Sequence, residues 1–208
     1  MLILLSVLIP ARAEEAVSPM IVSEMADSTE YPALEADIPV ITSEGKSNVK
    51  IAGVKSKNKL VRYTIPETLL RADENFLALM VEAEKYIGYP YVYGGSKPST
   101  GFDCSGFVCW VFRQSGVYDT GRLGAKGLYS LCTDVSRDEA RPGDLVFFTK
   151  TMGADVKGIT HVGIYVGNDM MLHAGDPVGF ADLQSDKWAK KIYAFGRLPI
   201  QQGAQANE

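Results

Sequence analysis

Three residues of this chain have side chains suited to nucleophilic catalysis. Cys104 lies between Gly101 and Gly106, and the only two histidines of the chain, His161 and His173, follow downstream, twelve residues apart. A thiol with an ordinary pKa of about 8.5 is only a few per cent ionised at neutral pH, so an enzyme that uses it must supply a base or a local positive field. The combination predicts a thiol enzyme.

The segment after the cysteine has the spacing of a buried helix that begins at Cys104. Between residues 105 and 114 the apolar positions recur at helical intervals, and Gly116 follows as a stop. At the first turn of such a helix, free backbone N–H groups and the positive end of the helix dipole favour an anion. The same N–H groups could hold a developing oxyanion. The apolar positions are Phe107, Val108, Val111 and Phe112.

The histidines fall in a predicted β-hairpin. Residues 161–166 alternate as in a strand, 167–169 have turn composition, and 170–174 form the return strand. A three-residue loop would put His173 on the same face as His161. A two-residue loop would reverse that parity unless a bulge compensates for it.

The other two cysteines are predicted to be structural. Cys109 lies about 140° around the helix from Cys104, which indicates core packing, and Cys132 lies in a polar stretch. Neither belongs to a Cys-x-x-Cys pair, and the histidines have no zinc-ligand spacing, so we expect no metal and no cofactor. The competing interpretations are a buried Cys104 that only fills space and histidines that belong to the core or the surface.

Charge and composition argue against a nucleic-acid partner. The net charge is −4, the pI is near 5.3, and no cluster of Lys and Arg forms a basic patch. An apolar content of 46% over 208 residues suffices for one core.

Four regions are predicted along the chain. Residues 1–13 are an apolar segment that ends in a signal-peptidase-like Ala-Arg-Ala, too short for a stable membrane span, with a buried segment as the alternative. Residues 14–72 are predicted to be a partly disordered linker, and 200–208 a polar tail. The domain spans 73–199 and opens with a helix capped by Asp73. We expect export to the cell wall, the extracellular space or the periplasm.

Five segments resemble the NlpC-type family of bacterial cell-wall endopeptidases. The resemblance covers about 125 residues and implies an α+β, papain-like domain, in which the cysteine helix packs on an antiparallel sheet that bears the histidines. It implies hydrolysis of peptidoglycan stem peptides, typically between D-glutamate and diaminopimelate. The segments are Tyr91-Val92-Tyr93-Gly94-Gly95, Asp103-Cys104-Ser105-Gly106-Phe107-Val108, Arg141-Pro142-Gly143-Asp144-Leu145-Val146-Phe147-Phe148, His161-Val162-Gly163-Ile164-Tyr165-Val166-Gly167 and Leu172-His173-Ala174.

The resemblance assigns a role to each catalytic position. Cys104 matches the nucleophile, His161 the general base, and His173 the residue that orients the imidazole. Tyr91 matches a tyrosine near the thiol that binds the oxyanion or the substrate, with Tyr93 as the alternative.

Two further residues match positions that contact substrate in some members. These are Asp103 and Ser105, for which helix capping is the competing role. We expect a monomer. The rival functions are a related thiol amidase or acyltransferase on the same scaffold and a non-catalytic cell-wall binding domain.

Overall fold

A six-stranded antiparallel sheet and one central helix carry the predicted catalytic residues. The computed structural model describes residues 37–200. The helices in this range are α1 (Glu67–Arg71), α2 (Glu74–Glu84), α3 (Cys104–Gln114) and α4 (Ala125–Leu131). The strands are β1 (Lys50–Ile51), β2 (Val54–Lys55), β3 (Ser96–Lys97), β4 (Gly101–Phe102), β5 (Thr133–Val135), β6 (Leu145–Thr149), β7 (Ile159–Gly167), β8 (Met170–Ala174), β9 (Val178–Asp182) and β10 (Ile192–Arg197).

The main sheet has the strand order β5-β10-β6-β7-β8-β9, and all its neighbours are antiparallel. The pairs β1–β2 and β3–β4 form separate two-stranded ribbons. The predicted α+β class is confirmed. Among residues 37–200 no helix is both long enough and apolar enough to cross a membrane.

The alternation of residues along β7 divides the core between the two faces of the sheet. Val162, Ile164 and Val166 are fully buried in the same cluster as the apolar side of α3. Trp188 belongs to a smaller cluster with residues that include Phe148 and Met171. The sheet therefore has an apolar cluster on each face, and α3 belongs to the cluster that contains Val162.

Both predicted helix starts are confirmed by their caps. The Asp73 carboxylate accepts a hydrogen bond from the Phe76 N–H at 2.9 Å, and that of Asp103 accepts one from the Gly106 N–H at 2.6 Å. A cap of this kind satisfies one of the N–H groups that a helix leaves unpaired. Asp103 thus fixes Cys104 as the first residue of α3.

The hairpin has the shorter of the two loops considered, together with the compensating bulge. Gly167 pairs with Met170, which leaves only Asn168 and Asp169 in the turn, both with positive φ. A register shift between Tyr165 and Gly167 then restores the parity that a two-residue loop would reverse. The histidines consequently lie on the same face.

The linker prediction is wrong over residues 37–72, where the chain packs on the domain. Ile41 and Ile65 are buried, and the Ile65 N–H donates to the Ile41 carbonyl at 3.0 Å. The Val49 N–H donates to the Gly88 carbonyl at 3.0 Å. The elements here are too short to show periodicity in the sequence. The folded unit therefore begins before Asp73.

Three other predicted regions cannot be compared with the structure. The apolar segment 1–13, the first part of the proposed linker, 14–36, and residues 201–208 of the tail lie outside the described residues.

We predict that Ile41→Ala lowers the free energy of unfolding by about 2–5 kcal/mol, because it removes a buried side chain and leaves a cavity. The matched control is Val40→Ala, since Val40 is 69% exposed and its truncation should change stability by no more than about 0.5 kcal/mol. Urea denaturation of both variants measures the difference. Equal effects would mean that the segment around Ile41 contributes nothing to the core.

Candidate active site

The Cys104 sulfur lies where the start of α3 meets the start of β7. Its thiol is within hydrogen-bonding reach of the backbone at Val162, at Ser105 and at Cys104 itself. Val162 directly follows His161 in the strand, so the thiol and this histidine occupy the same end of β7. Only 8% of the Cys104 surface is exposed.

The two histidines form a buried hydrogen-bonded pair. The Nε2 atom of His161 lies 2.8 Å from Nδ1 of His173, and the rings meet edge to face. Continuing the β7–β8 register places Gly163 opposite His173. A Cβ atom at Gly163 would lie 3.1 Å from the His173 Cβ, and one at Gly175 would lie 2.7 Å from its Cε1. Gly175 therefore leaves room for the His173 ring, and Gly163 allows the close approach of its Cβ atom.

The hydrogen bond and the predicted role of His161 as a base together determine which nitrogens carry protons. If His161 is to accept a proton at Nδ1, its Nε2 must carry hydrogen and donate to Nδ1 of His173. His173 must then be neutral, with its own hydrogen on Nε2. The predicted orienting role of His173 requires this tautomer.

Burial keeps the thiol and both imidazoles uncharged. It raises the pKa of Cys104 to about 11, with the Asp103 carboxylate adding to the shift and the backbone hydrogen bonds opposing it. It lowers the pKa of His161 to about 3, assisted by the charge of Lys187 and opposed by Asp103. The pKa of His173 is held well below its ordinary value, mainly by burial and further by the charges of His161 and Lys187. The sequence predicts that the helix start favours a thiolate, and desolvation outweighs that effect in the unliganded protein.

Of the two candidate tyrosines, Tyr91 lies beside the thiol. The pKa of Tyr91 is raised to about 12, mainly by burial and to a smaller extent by the charges of the neighbouring Cys104 and Asp103. Tyr91 is half-buried, whereas Tyr93 is 78% exposed. The half-buried Tyr91 hydroxyl is therefore within electrostatic range of the sulfur, whereas Tyr93 lines the same cleft with its side chain mostly exposed.

Asp103 is engaged on both carboxylate oxygens. Oδ1 accepts from the Gly106 N–H at 2.6 Å and the Ser105 hydroxyl at 3.0 Å, and Oδ2 accepts from the Gly94 N–H at 3.1 Å. The Arg122 guanidinium donates to Oδ2 at 2.7 Å and to the Ser105 hydroxyl at 3.0 Å. Asp103 thus has the capping role considered as its alternative, whereas the Ser105 hydroxyl caps no N–H group and instead supports the Asp103 carboxylate.

A cleft of about 600 Å³ opens in front of the thiol. Arg122, with 41% of its side chain exposed, lies in its wall. Arg122 and Trp188 escape sequence reasoning because each lies between regular elements, where no periodicity indicates direction. The residues that line the cleft are Tyr91, Tyr93, Gly94, Asp103, Cys104, Ser105, Arg122, Gly124, Ala125, Met152, Val156, Ile159 and Thr160.

The remaining cysteines lie away from this cleft. Cys109 is buried in the core, with its sulfur 3.6 Å from the Leu123 carbonyl oxygen. Cys132 packs against Gly196, and burial raises the pKa of its thiol to about 12. Among residues 37–200 no group of three His, Cys, Asp or Glu side chains could hold a metal ion.

Comparison with known proteins gives one family. The model of the NlpC/P60 family matches residues 88–197, just over half of the chain. The chain belongs to the NlpC/P60 family. This membership confirms the resemblance and, with it, the papain-like α+β architecture of the domain.

The relatives include two Bacillus subtilis proteins. The bifunctional muramidase/DL-endopeptidase CwlT is 46% identical over 121 residues, which are 58% of this chain and 36% of CwlT. Gamma-DL-glutamyl hydrolase is 41% identical over 120 residues, 56% of this chain and 28% of that protein. The matched part of this chain spans about a third of each relative, so only the NlpC/P60 domain is compared.

A solved structure supports the fold directly. A lipoprotein-like NLP/P60 family protein from Staphylococcus aureus Mu50 superimposes with a TM-score of 0.57 at 41% identity. The match covers 61% of this chain and 42% of that one. The NlpC/P60 domain therefore has the architecture of a known member.

We predict that the NlpC/P60 domain loses stability as pH falls from about 6.5, because the unfolded histidines bind protons that the folded ones do not. The loss begins near the unfolded pKa and continues towards the folded value of about 3 for His161. At pH 5 it amounts to up to about 2 kcal/mol per histidine. Urea denaturation between pH 5 and 7.5 measures it.

The control for this prediction is the double variant His161→Gln/His173→Gln. It lacks both titrating groups and should show a much smaller slope over the same interval. An unchanged slope would assign the acid sensitivity to other groups.

Proposed function

We propose that this protein is a cysteine endopeptidase that hydrolyses peptidoglycan stem peptides at the bond between D-glutamate and the diamino acid. One observation carries the proposal. The Cys104 thiol, at the start of α3, lies at the same end of β7 as His161. The Nε2 atom of that histidine is 2.8 Å from Nδ1 of His173. That arrangement supplies a nucleophile, a base and an orienting group.

In the first half of the reaction, the Cys104 sulfur attacks the scissile carbonyl carbon while the thiol proton passes to Nδ1 of His161. Backbone N–H groups at the start of α3 are placed to bind the resulting oxyanion, and the Tyr91 hydroxyl lies in the same region. His161 returns the proton to the leaving amine as the C–N bond breaks. A thioester on Cys104 and a free amino group result.

Water completes the cycle through the same base. His161 takes a proton from the water that attacks the thioester carbonyl, and the carboxylic acid leaves as the proton returns to the sulfur. Throughout, the Nε2 hydrogen of His161 stays directed at His173, which stabilises the transient imidazolium. In this mechanism Cys104 and His161 exchange the proton, and His173 orients His161 without taking a proton itself.

The choice of an acidic substrate residue is supported by Arg122 and by the named relatives. A guanidinium has five N–H donors. Among the described residues, Arg122 uses three of them, on the Ser105 hydroxyl, the Leu123 carbonyl and the Asp103 carboxylate. The remaining N–H donors of Arg122 are available to bind a substrate carboxylate in the cleft. The relatives are named DL-endopeptidase and gamma-DL-glutamyl hydrolase. With this substrate, we place the protein outside the cytoplasmic membrane.

We predict that Cys104→Ala and His161→Ala each reduce hydrolysis to background, and that the double variant is no worse than either, because the two groups act as a unit. His173→Ala should retain measurable turnover, since packing still holds part of the His161 orientation. Mass spectrometry of muropeptides after incubation identifies the bond cut, and Cys109→Ala is the matched cysteine control.

The product masses also separate the rival activities on this scaffold. Release of whole stem peptides from the sugar would identify an amidase, and a peptide joined to a new amine would identify an acyltransferase. Near-normal turnover in His161→Ala would exclude its role as base. Binding without turnover in the unaltered protein would indicate a non-catalytic wall-binding domain.

We predict that Arg122→Gln lowers kcat/KM about 10–100-fold on a stem peptide with a D-glutamate carboxylate, the range expected for a hydrogen-bonded charge. The loss should be much smaller on the same peptide carrying the carboxamide. Arg113→Gln is the control, because Arg113 pairs with Asp119 at the surface, outside the cleft. An equal loss on both substrates would assign Arg122 only to support of Asp103.

A further inference from the structure

Trp188 covers the histidine pair on the side away from α3. Its ring stacks on His161 at 5.2 Å and 26°, and meets the edge of His173 at 5.0 Å and 85°. Phe148 lies behind it, with ring centroids 4.9 Å apart. Only 6% of Trp188 is exposed, although it lies in the short segment between β9 and β10.

The hydrogen bond within this pair must run from Nε2 of His161 to Nδ1 of His173 if His161 is to act as a base. If His173 became an imidazolium, its Nδ1 would carry hydrogen and could no longer accept from Nε2 of His161. His161 would then have to turn its unprotonated nitrogen towards His173 and its hydrogen towards the thiol. In that state it could not accept the Cys104 proton. The pair therefore needs a group that keeps His173 neutral and both rings fixed.

The charged and titratable groups around the pair come from three parts of the fold. Asp103 and Cys104 belong to the start of α3, the two histidines to β7 and β8, and Lys187 to the segment that carries Trp188. The Lys187 ammonium lies 5.0 Å from the Trp188 ring centroid. Lys187 opposes protonation of both imidazoles, whereas Asp103 favours protonation of His161.

We propose that Trp188, with Lys187 over its ring, is a positioning residue that holds the His161–His173 pair in its productive tautomer. The flat ring fixes the plane of His161 by stacking and excludes water from the hydrogen bond between the imidazoles. This assignment rests on the proposed use of His161 as the base. It extends the site to two residues that do not line the cleft in front of the thiol.

The first experiment reads the tautomers without any substrate. Because the chain has only two histidines, long-range nitrogen-15 spectra of the imidazoles resolve both rings in the full-length protein. The unaltered protein and Trp188→Phe should show hydrogen on Nε2 of each ring at pH 7. Trp188→Leu, which keeps an apolar side chain but no flat ring, should show mixed tautomers. A native spectrum in folded Trp188→Leu would overturn the proposal.

The second experiment measures the pH dependence of catalysis and of thiol reactivity. In Trp188→Leu the histidines should protonate more readily, so the acid limb of kcat/KM should move up by one pH unit or more, with kcat lowered more than KM is changed. Trp188→Phe should restore the native limb. Trp110→Phe is the control, because the only other tryptophan donates to the Tyr86 hydroxyl, away from the histidines.

Iodoacetamide labelling of Cys104 gives the same pH profile when no substrate is cut, which separates failure of this proposal from failure of the proposed function. If Trp188→Leu does not fold, Lys187→Gln decides, since Lys187 is exposed and its substitution spares the core. Loss of that cation should move the acid limb up by a smaller amount. An unmoved limb in Lys187→Gln, or in folded Trp188→Leu, contradicts the proposal.

Discussion

The hydrogen bond between two buried, uncharged imidazoles is the constraint on which the rest of this domain depends. It requires two neighbouring strands to present histidines on one face, with glycine at 163, where a Cβ atom would lie only 2.8 Å from the Met171 sulfur and 3.1 Å from the His173 Cβ. It also requires water to be kept away, since a hydrated pair would protonate near its ordinary pKa. The sheet meets the first requirement, and Trp188 with the surrounding core meets the second.

The β-bulge before the hairpin turn is what places both histidines on the same face of the sheet. Asn168 and Asp169 form a tight turn with positive φ at both positions, which by itself would place the histidines on opposite faces. The register shift between Tyr165 and Gly167 cancels that effect. The bulge is therefore part of the proposed catalytic arrangement, although it lies several residues away from either histidine.

Sequence reasoning located the elements that have strong periodicity and the residues with distinctive chemistry. The helix that begins at Cys104, the helix capped by Asp73 and the two histidine strands follow from apolar spacing and capping residues. Residues 37–72, Arg122 and Trp188 could not be placed in this way. They lie in short or irregular segments, where the direction of a side chain depends on long-range contacts and not on local pattern.

Burial creates the chemical difficulty that the site must also resolve. Desolvation raises the pKa of the thiol and lowers that of His161, its proposed base, so neither group ionises readily alone. A thiolate and an imidazolium that form together attract each other strongly where water is excluded, and the amides around the sulfur favour the anion. In the proposed mechanism ionisation is therefore coupled, and a carbonyl group that enters the cleft takes up the negative charge as it forms. A neutral resting state would then protect the thiol of the proposed enzyme from unproductive reaction until a substrate is in place.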